Sequence, residues 1–207
     1  MNRRWHDRLG GTALVAASVF CAVPLAAQTS APPETRPVET PRAPRSQQPH
    51  DLDFLFNALK VAPDETSARA IKDRIWALWL SSGGDTTDLL MTRVKSAIDA
   101  KDFDLAIKLL DAIVDFKPDY VEGWDRRATV YYLKKDYGNA LADIAQVLAR
   151  EPRHFGALFG LGMILQEFGD DKRALEIYRR ALAIDPHSQR IPELVKTLTE
   201  KIDGRDI

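Results

Sequence analysis

The sequence predicts an all-α fold, a solenoid of stacked helix pairs closed by a C-terminal capping helix. Three observations predict it. One pattern is written twice, 34 residues apart: Trp124, Ala128, Tyr131, Ala140, Ile144, Val147 and Pro152 are answered by Leu158, Gly162, Leu165, Ala174, Tyr178, Ala181 and Pro186. A weaker copy precedes them in Leu90, Val94, Ala97, Ala106, Leu110, Ile113 and Pro118. Repetition at such a period means that each unit buries its apolar face against its neighbours. Second, Asp102, Asp136 and Asp170 recur in phase where the chain turns between two helices, and their carboxylates suit the first free N–H groups of the second helix. Third, helix-period apolar stripes flank the repeats on both sides, and no stretch reads as a strand.

The elements follow in order. Residues 1–27 read as a secretory signal peptide. Arg3, Arg4 and Arg8 precede an alanine-rich apolar run from Thr12 to Ala27, and Leu25-Ala26-Ala27 offers small residues before a cut at Gln28. The alternative is an uncleaved anchor in the inner membrane, against which stand the short run and Pro24. Neither a twin-arginine signal at Arg3-Arg4 nor a lipid-bearing Cys21 is well supported by its neighbours. Cys21 is the only cysteine, so a chain cut at Gln28 has no disulfide and no thiol chemistry. Removing three basic residues and one acidic residue from the 29 and 30 of the whole chain leaves 26 against 29, a net charge of −3.

Residues 28–50 hold six of the twelve prolines and no apolar periodicity. Such a segment does not bury enough surface to offset its ordering entropy, so it reads as a disordered spacer. A polyproline ligand is the sharper reading, weakened by the irregular spacing of the prolines. From 51 to 86 the pattern predicts a helical hairpin, a cap or a divergent repeat. Leu52, Leu55, Phe56 and Leu59 share one face, Ala62-Pro63 breaks the helix, and Asp64 caps a second helix carrying Ala68, Ile71, Ile75, Leu78 and Trp79. Trp76 and Trp79 read as core. Three units follow at 87–120, 121–154 and 155–188. Pro118, Pro152 and Pro186 end them, because the residue before a proline is pushed out of the helical region. Residues 189–207 give a last helix and a tail. Ile191, Leu194, Val195, Leu198 and Ile202 form its apolar stripe, and Glu193, Lys196, Glu200 and Lys201 lie off it.

The unit at 155–188 reads Leu158-x2-Leu161-Gly162-x2-Leu165, then Ala174-x3-Tyr178, then Pro186. The unit at 121–154 reads Trp124-x2-Arg127-Ala128-x2-Tyr131, then Ala140-x3-Ile144, then Pro152. This resembles the tetratricopeptide repeat (TPR) family, over about 100 residues from Thr87 to Ser188. Arg93 and Arg127 depart from the family's leucine, and we expect their aliphatic stems to lie on the core with the charge in water. The copy at 87–120 lacks the aromatic and small residues on its first helix and is a degenerate unit.

The resemblance implies a concave groove lined by the first helix of each pair, at the second, fifth, ninth and twelfth residues. The central ones among those positions are Met91, Lys95 and Ile98; Glu122, Asp125, Thr129 and Tyr132; and Phe159, Met163 and Gln166. Members that clamp a chaperone carboxy-terminus present Lys and Asn where this chain has Met91, Asp125 and Thr129, so a carboxylate clamp is not expected. The mixed groove suits a protein segment with a hydrophobic anchor. Phe159 and Met163 have a plainer reading as packing partners of the last helix.

No catalytic constellation emerges. The histidines (His6, His50, His154 and His187) form no i, i+4 pair. Gly160 and Gly162 are repeat glycines within a helix. The acidic residues read as solvated faces or turns. A net charge of −1 without a basic stripe gives no nucleic-acid signal. The expectation is a non-enzymatic module without cofactor or metal. It would bind an unidentified protein or peptide in the periplasm or cell envelope, in envelope assembly, secretion or host interaction. The alternative is a self-associating scaffold without a peptide ligand.

Overall fold

The computed structural model describes residues 48–204, so the signal peptide, most of the Pro-rich segment and the last three residues lie outside the described residues. Within them the chain forms α1 (Gln48–Lys60), α2 (Glu65–Leu80), α3 (Asp85–Asp99), α4 (Phe103–Phe116), α5 (Val121–Leu133), α6 (Tyr137–Arg150), α7 (Phe155–Glu167), α8 (Asp171–Ile184) and α9 (Ile191–Asp203). No strand occurs among the described residues. Helix α1 begins at Gln48, inside the stretch expected as spacer.

The units are α3–α4, α5–α6 and α7–α8. Each pair is joined by the same turn. Lys101, Lys135 and Gly169, 34 residues apart, hold left-handed φ values of 58°, 60° and 73°. The following aspartate N–H reaches back five residues to a carbonyl: Asp102 to Ala97, Asp136 to Tyr131 and Asp170 to Leu165, at 2.8–2.9 Å. This is the Schellman ending. The same aspartates then cap the next helix, their carboxylates accepting the N–H groups of Leu105, Asn139 and Arg173. One residue thus closes one helix and opens the next, which explains why the aspartate recurs in phase. At Asp170 the hydrogen bond from the Arg173 N–H holds the carboxyl below its ordinary pKa.

The small residues sit where the helices cross. Ala128, Ala140 and Ala174 are buried, and so is Gly162. A Cβ on Gly162 would lie 2.3 Å from Cε1 of the Tyr178 ring, itself fully buried. Gly162→Ala is therefore expected to lose about 2 kcal/mol, the overpacking cost exceeding alanine's better helix propensity. A urea unfolding curve measures it, and an unchanged midpoint would contradict this packing. Helix α9 covers the last unit as expected: Ile191, Leu194, Val195, Leu198 and Ile202 all join the cluster around Leu158, Ala174 and Tyr178.

Helices α1 and α2 form a hairpin, with Leu55, Phe56, Leu59, Ala68, Ile75 and Trp79 as its core. It does not serve as one more stacked unit. Helix α2 runs along one edge of the solenoid and touches the turn that ends each unit. At the first, the Tyr120 hydroxyl donates to Leu80 O at 3.0 Å and Lys117 donates to Ser82 O. At the second, Trp76 and Trp79 pack on His154 and Phe155. At the third, Lys72 pairs with Asp185 at 3.0 Å and donates to His187 O at 3.3 Å. Arg153 ties α1 to the same edge through Asp53 at 2.6 Å and a position 4.3 Å over the Phe56 ring.

Arg127 corrects the expectation of a solvated charge. Its guanidinium is 15% exposed, forked onto Asp143 of α6 at 2.8 Å twice, and bonded to Asp111 of α4 at 2.7 Å. It also lies 5.0 Å from the Trp124 ring centroid. A planar cation with five donors joins two units where leucine would only fill space.

Candidate functional site: a concave groove with a buried polar rim

The first helices α3, α5 and α7 present their inward rows side by side. Residues from the fifth, ninth and twelfth rows line three cavities. Met91, Lys95 and Ile98 face a space of about 500 Å³ that Leu80 and Arg126 help to close. Asp125, Thr129, Tyr132 and Met163 line a slot of about 70 Å³ between α5 and α7, floored by Ala128, Gly160 and Ile164. Tyr132, Phe159, Met163 and Gln166 line a cavity of about 410 Å³, with Glu167, Tyr178, Arg190 and Leu194 completing its wall. Tyr132 and Met163 line both of the last two.

The rows differ in what they do. The second row is not open. Asp88 accepts a hydrogen bond from the Ser82 hydroxyl at 2.5 Å, Glu122 is fully buried, and a Cβ on Gly156 would lie 3.2 Å from the Trp76 ring. Helix α2 and the turn after it cover that rim. Glu122 is thus a buried contact, against its expected place as a groove residue. The groove narrows to the other three rows, where the nine remaining expected positions lie.

Within those rows Phe159 is partly core. It packs with Tyr178 at 6.0 Å between ring centroids, joins the cluster that contains Leu194 and Val195, and lies beneath the Arg190 guanidinium. The plainer reading of Phe159 therefore holds in part, while Met163 stays on the cavity wall. The Tyr178 hydroxyl donates to Gln166 Oε1 at 2.6 Å, and burial pushes its pKa up to about 12. Gln166 is therefore held in place, with its amide left to face the cavity. Lys95 pairs with Asp99 at 2.6 Å on the exposed side of α3.

Behind the slot lies a polar cluster that the sequence reading missed. His154 caps α7, its Nδ1 accepting the Ala157 N–H at 3.0 Å. That bond leaves the ring proton on Nε2, which donates to Glu122 Oε1 at 3.1 Å. The ring stacks on Trp79, with centroids 4.2 Å apart. Glu122 Oε2 has no hydrogen bond and lies 3.5 Å from Arg126 Nε. Asp125 approaches to 3.7 Å from His154 Nδ1. The three residues offer ligand atoms within 4.8 Å of one another. A metal would need a free imidazole lone pair, and here one nitrogen holds a helix-capping bond and the other a proton. The cluster acts as a hydrogen-bonded anchor beneath Trp79. The expectation that every acidic residue is solvated fails here, and also at Asp143, Glu151, Asp171 and Asp185, all buried. A histidine directly before a helix, at a unit's last position, was the one available signal.

Burial pushes the Asp125 pKa from 3.8 up to about 6. His154 and Arg126 oppose the rise, and Glu122 adds to it. The folded chain therefore holds this proton more tightly than the unfolded chain. That contribution is full below the ordinary value of 3.8 and is lost as pH rises through about 6. Asp125→Asn is expected to stabilise the protein at pH 7.5 by an amount on the order of 2 kcal/mol, and the gain should vanish near pH 4. Thermal melts of both proteins across that range read it.

Comparison with known proteins agrees with this architecture. Residues 126–188 match the tetratricopeptide repeat family. A TPR repeat-containing protein of Rhizobium etli is 40% identical over 153 residues, covering 74% of this chain and 75% of that protein. The Sgt2 TPR domain from Aspergillus fumigatus superimposes with a TM-score of 0.55 at 21% identity, over 59% of this chain and 83% of that domain. The first TPR domain of Spaghetti, bound to an HSP90 peptide, gives 0.54 at 17% identity, over 56% and 93%. At such identities the two structures speak to the fold. TPR domains bind peptide or protein partners and are generally non-catalytic. With its repeats, its turns and its Rhizobium relative, this chain belongs to the tetratricopeptide repeat family and is a protein–protein interaction module.

Proposed function

We propose that this protein is an exported adaptor of the cell envelope that holds a segment of a partner protein in its concave groove, with an apolar side chain of the partner as anchor. The observation that carries the reading is the cavity of about 410 Å³ between α7 and α9. Tyr132, Phe159, Met163 and Leu194 supply its apolar surface and Gln166, Glu167 and Arg190 its polar surface, in about equal measure. A pocket of this make-up takes a Leu- or Phe-sized side chain and fixes its backbone through the polar rim. The peptide in the Spaghetti complex has the sequence SRMEEVD. Here Met91, Asp125 and Thr129 stand at the positions where members that clamp a carboxy-terminus carry Lys and Asn. The basic start and apolar run of residues 1–27 support export.

The test uses the full chain as bait on an envelope extract from its cell of origin, beside a Thr129→Arg/Met163→Glu variant. Both side chains lie on cavity walls outside the buried core. The reading expects one partner held by the parent and lost by the variant at equal helicity. Equal capture by both would exclude the groove. Amino-terminal sequencing of the cell-derived protein tests export separately, with a start at Gln28 expected.

A further inference from the structure

We infer that the open end of the solenoid, on α4, is a self-complementary docking face for a second copy of this chain. Helix α9 covers the last unit, but no described helix covers the first in the same way, since the core of the α1–α2 hairpin meets Phe155 and Ile184 instead. In the second unit the residue equivalent to Phe116, and in the third the residue equivalent to Ala112, reach back onto the preceding unit. Arg150, 34 residues after Phe116, donates to Pro118 O at 2.9 Å. Arg180, two repeats after Ala112, donates to Pro152 O at 2.9 Å. On α4 the same positions face outward without such a neighbour. Phe116 is 70% exposed and Leu105 45% exposed, an unusual amount of large apolar surface for one face of one helix.

The spacing on α4 selects the occupant. Leu105, Leu109, Ala112 and Phe116 follow one another at intervals of four, three and four, a stripe on one side of the helix. Read backwards the intervals are the same. Two copies of α4 packed antiparallel about a two-fold axis therefore set Leu105 against the second copy's Phe116, and Leu109 against its Ala112. The small side chain at the centre lets the helices approach closely. Lys108 and Asp115 are both exposed and flank the stripe on the same side. The two-fold axis brings each Lys108 to within about one helical half-turn of the other copy's Asp115. Matching apolar and charged positions on one patch is what an isologous dimer requires. A head-to-tail stack lacks that match, because the outer face of α9 carries Glu193, Lys196, Glu200 and Lys201. One helix pair with its flanks falls in the small size class of interfaces, so the association should be reversible at micromolar concentration.

Sedimentation equilibrium of the full chain over a hundredfold range of concentration tests this. The expected result is a monomer–dimer equilibrium. Phe116→Asp should weaken it roughly a hundredfold, a factor of about ten from each copy, with unchanged helicity. Lys108→Glu and Asp115→Lys should each weaken it, and the double variant should restore it, since the reversed charges pair again across the axis. A monomer at every concentration would overturn the proposal and leave the face to residues 1–47 or to another protein. A dimer indifferent to Phe116→Asp would also overturn it and point to the apolar run of residues 12–27. Loss of partner capture in Met163→Glu bears on the groove and leaves this result untouched.

Discussion

Replacing Arg127 with alanine is expected to cost about 3–5 kcal/mol, the largest loss from any single charged side chain in the repeats. The cost comes from Asp143. That carboxylate is 3% exposed, and its two oxygens accept the fork of the guanidinium. Without Arg127 it would be a buried charge with no partner. Two companion variants separate this cause from lost packing. Arg127→Ala/Asp143→Ala should recover part of the stability, because the stranded charge goes with its partner. Asp111→Ala should cost under about 1 kcal/mol, since Asp111 is 46% exposed and water replaces the cation there. Urea unfolding of the four proteins gives the comparison. A double variant no more stable than Arg127→Ala would assign the loss to the stacking of Arg127 on Trp124.

Trp79→Ala should cost a similar amount, about 3–5 kcal/mol, and should show itself locally. Trp79 is 6% exposed, stacked on His154, and in contact with Phe56, Trp76 and Phe155. It is the central contact between the hairpin and the solenoid edge. Its removal opens a path for water to the buried Glu122–His154 pair. Hydrogen exchange is expected to lose protection across α1 and α2 first, while α6 and α8 keep most of theirs. Uniform loss along the whole chain would mean that the hairpin and the repeats fold as one unit and that the edge is not a separable strap.

The repeats were legible because their physics is local and periodic. Gly162 against Tyr178, the aspartate caps and the α9 stripe each follow from spacing alone. The groove rows were legible through the family resemblance, which fixes which residues of a first helix face inward. What spacing does not carry is a contact between elements far apart in sequence. The stripe of α1 and α2 announced a hairpin, and Trp76 and Trp79 announced core, but nothing local says that the core lies against residues 154 and 155. The burial of Glu122 follows from that one placement, as does the cover over the second row. Arg127 failed for a related reason. A charged residue at a leucine position has two solutions, and choosing the paired one required Asp111 and Asp143, each 16 residues away, to arrive at the same place.

The groove is the centre of this account, and site-specific photo-crosslinking in the cell of origin tests it most directly. A photoreactive side chain would stand at Met163, on the wall shared by two cavities, or at the exposed Glu176 on α8. One discrete adduct is expected from position 163 and none from position 176. An adduct from position 176 with none from position 163 would contradict it and move the binding surface to the second helices.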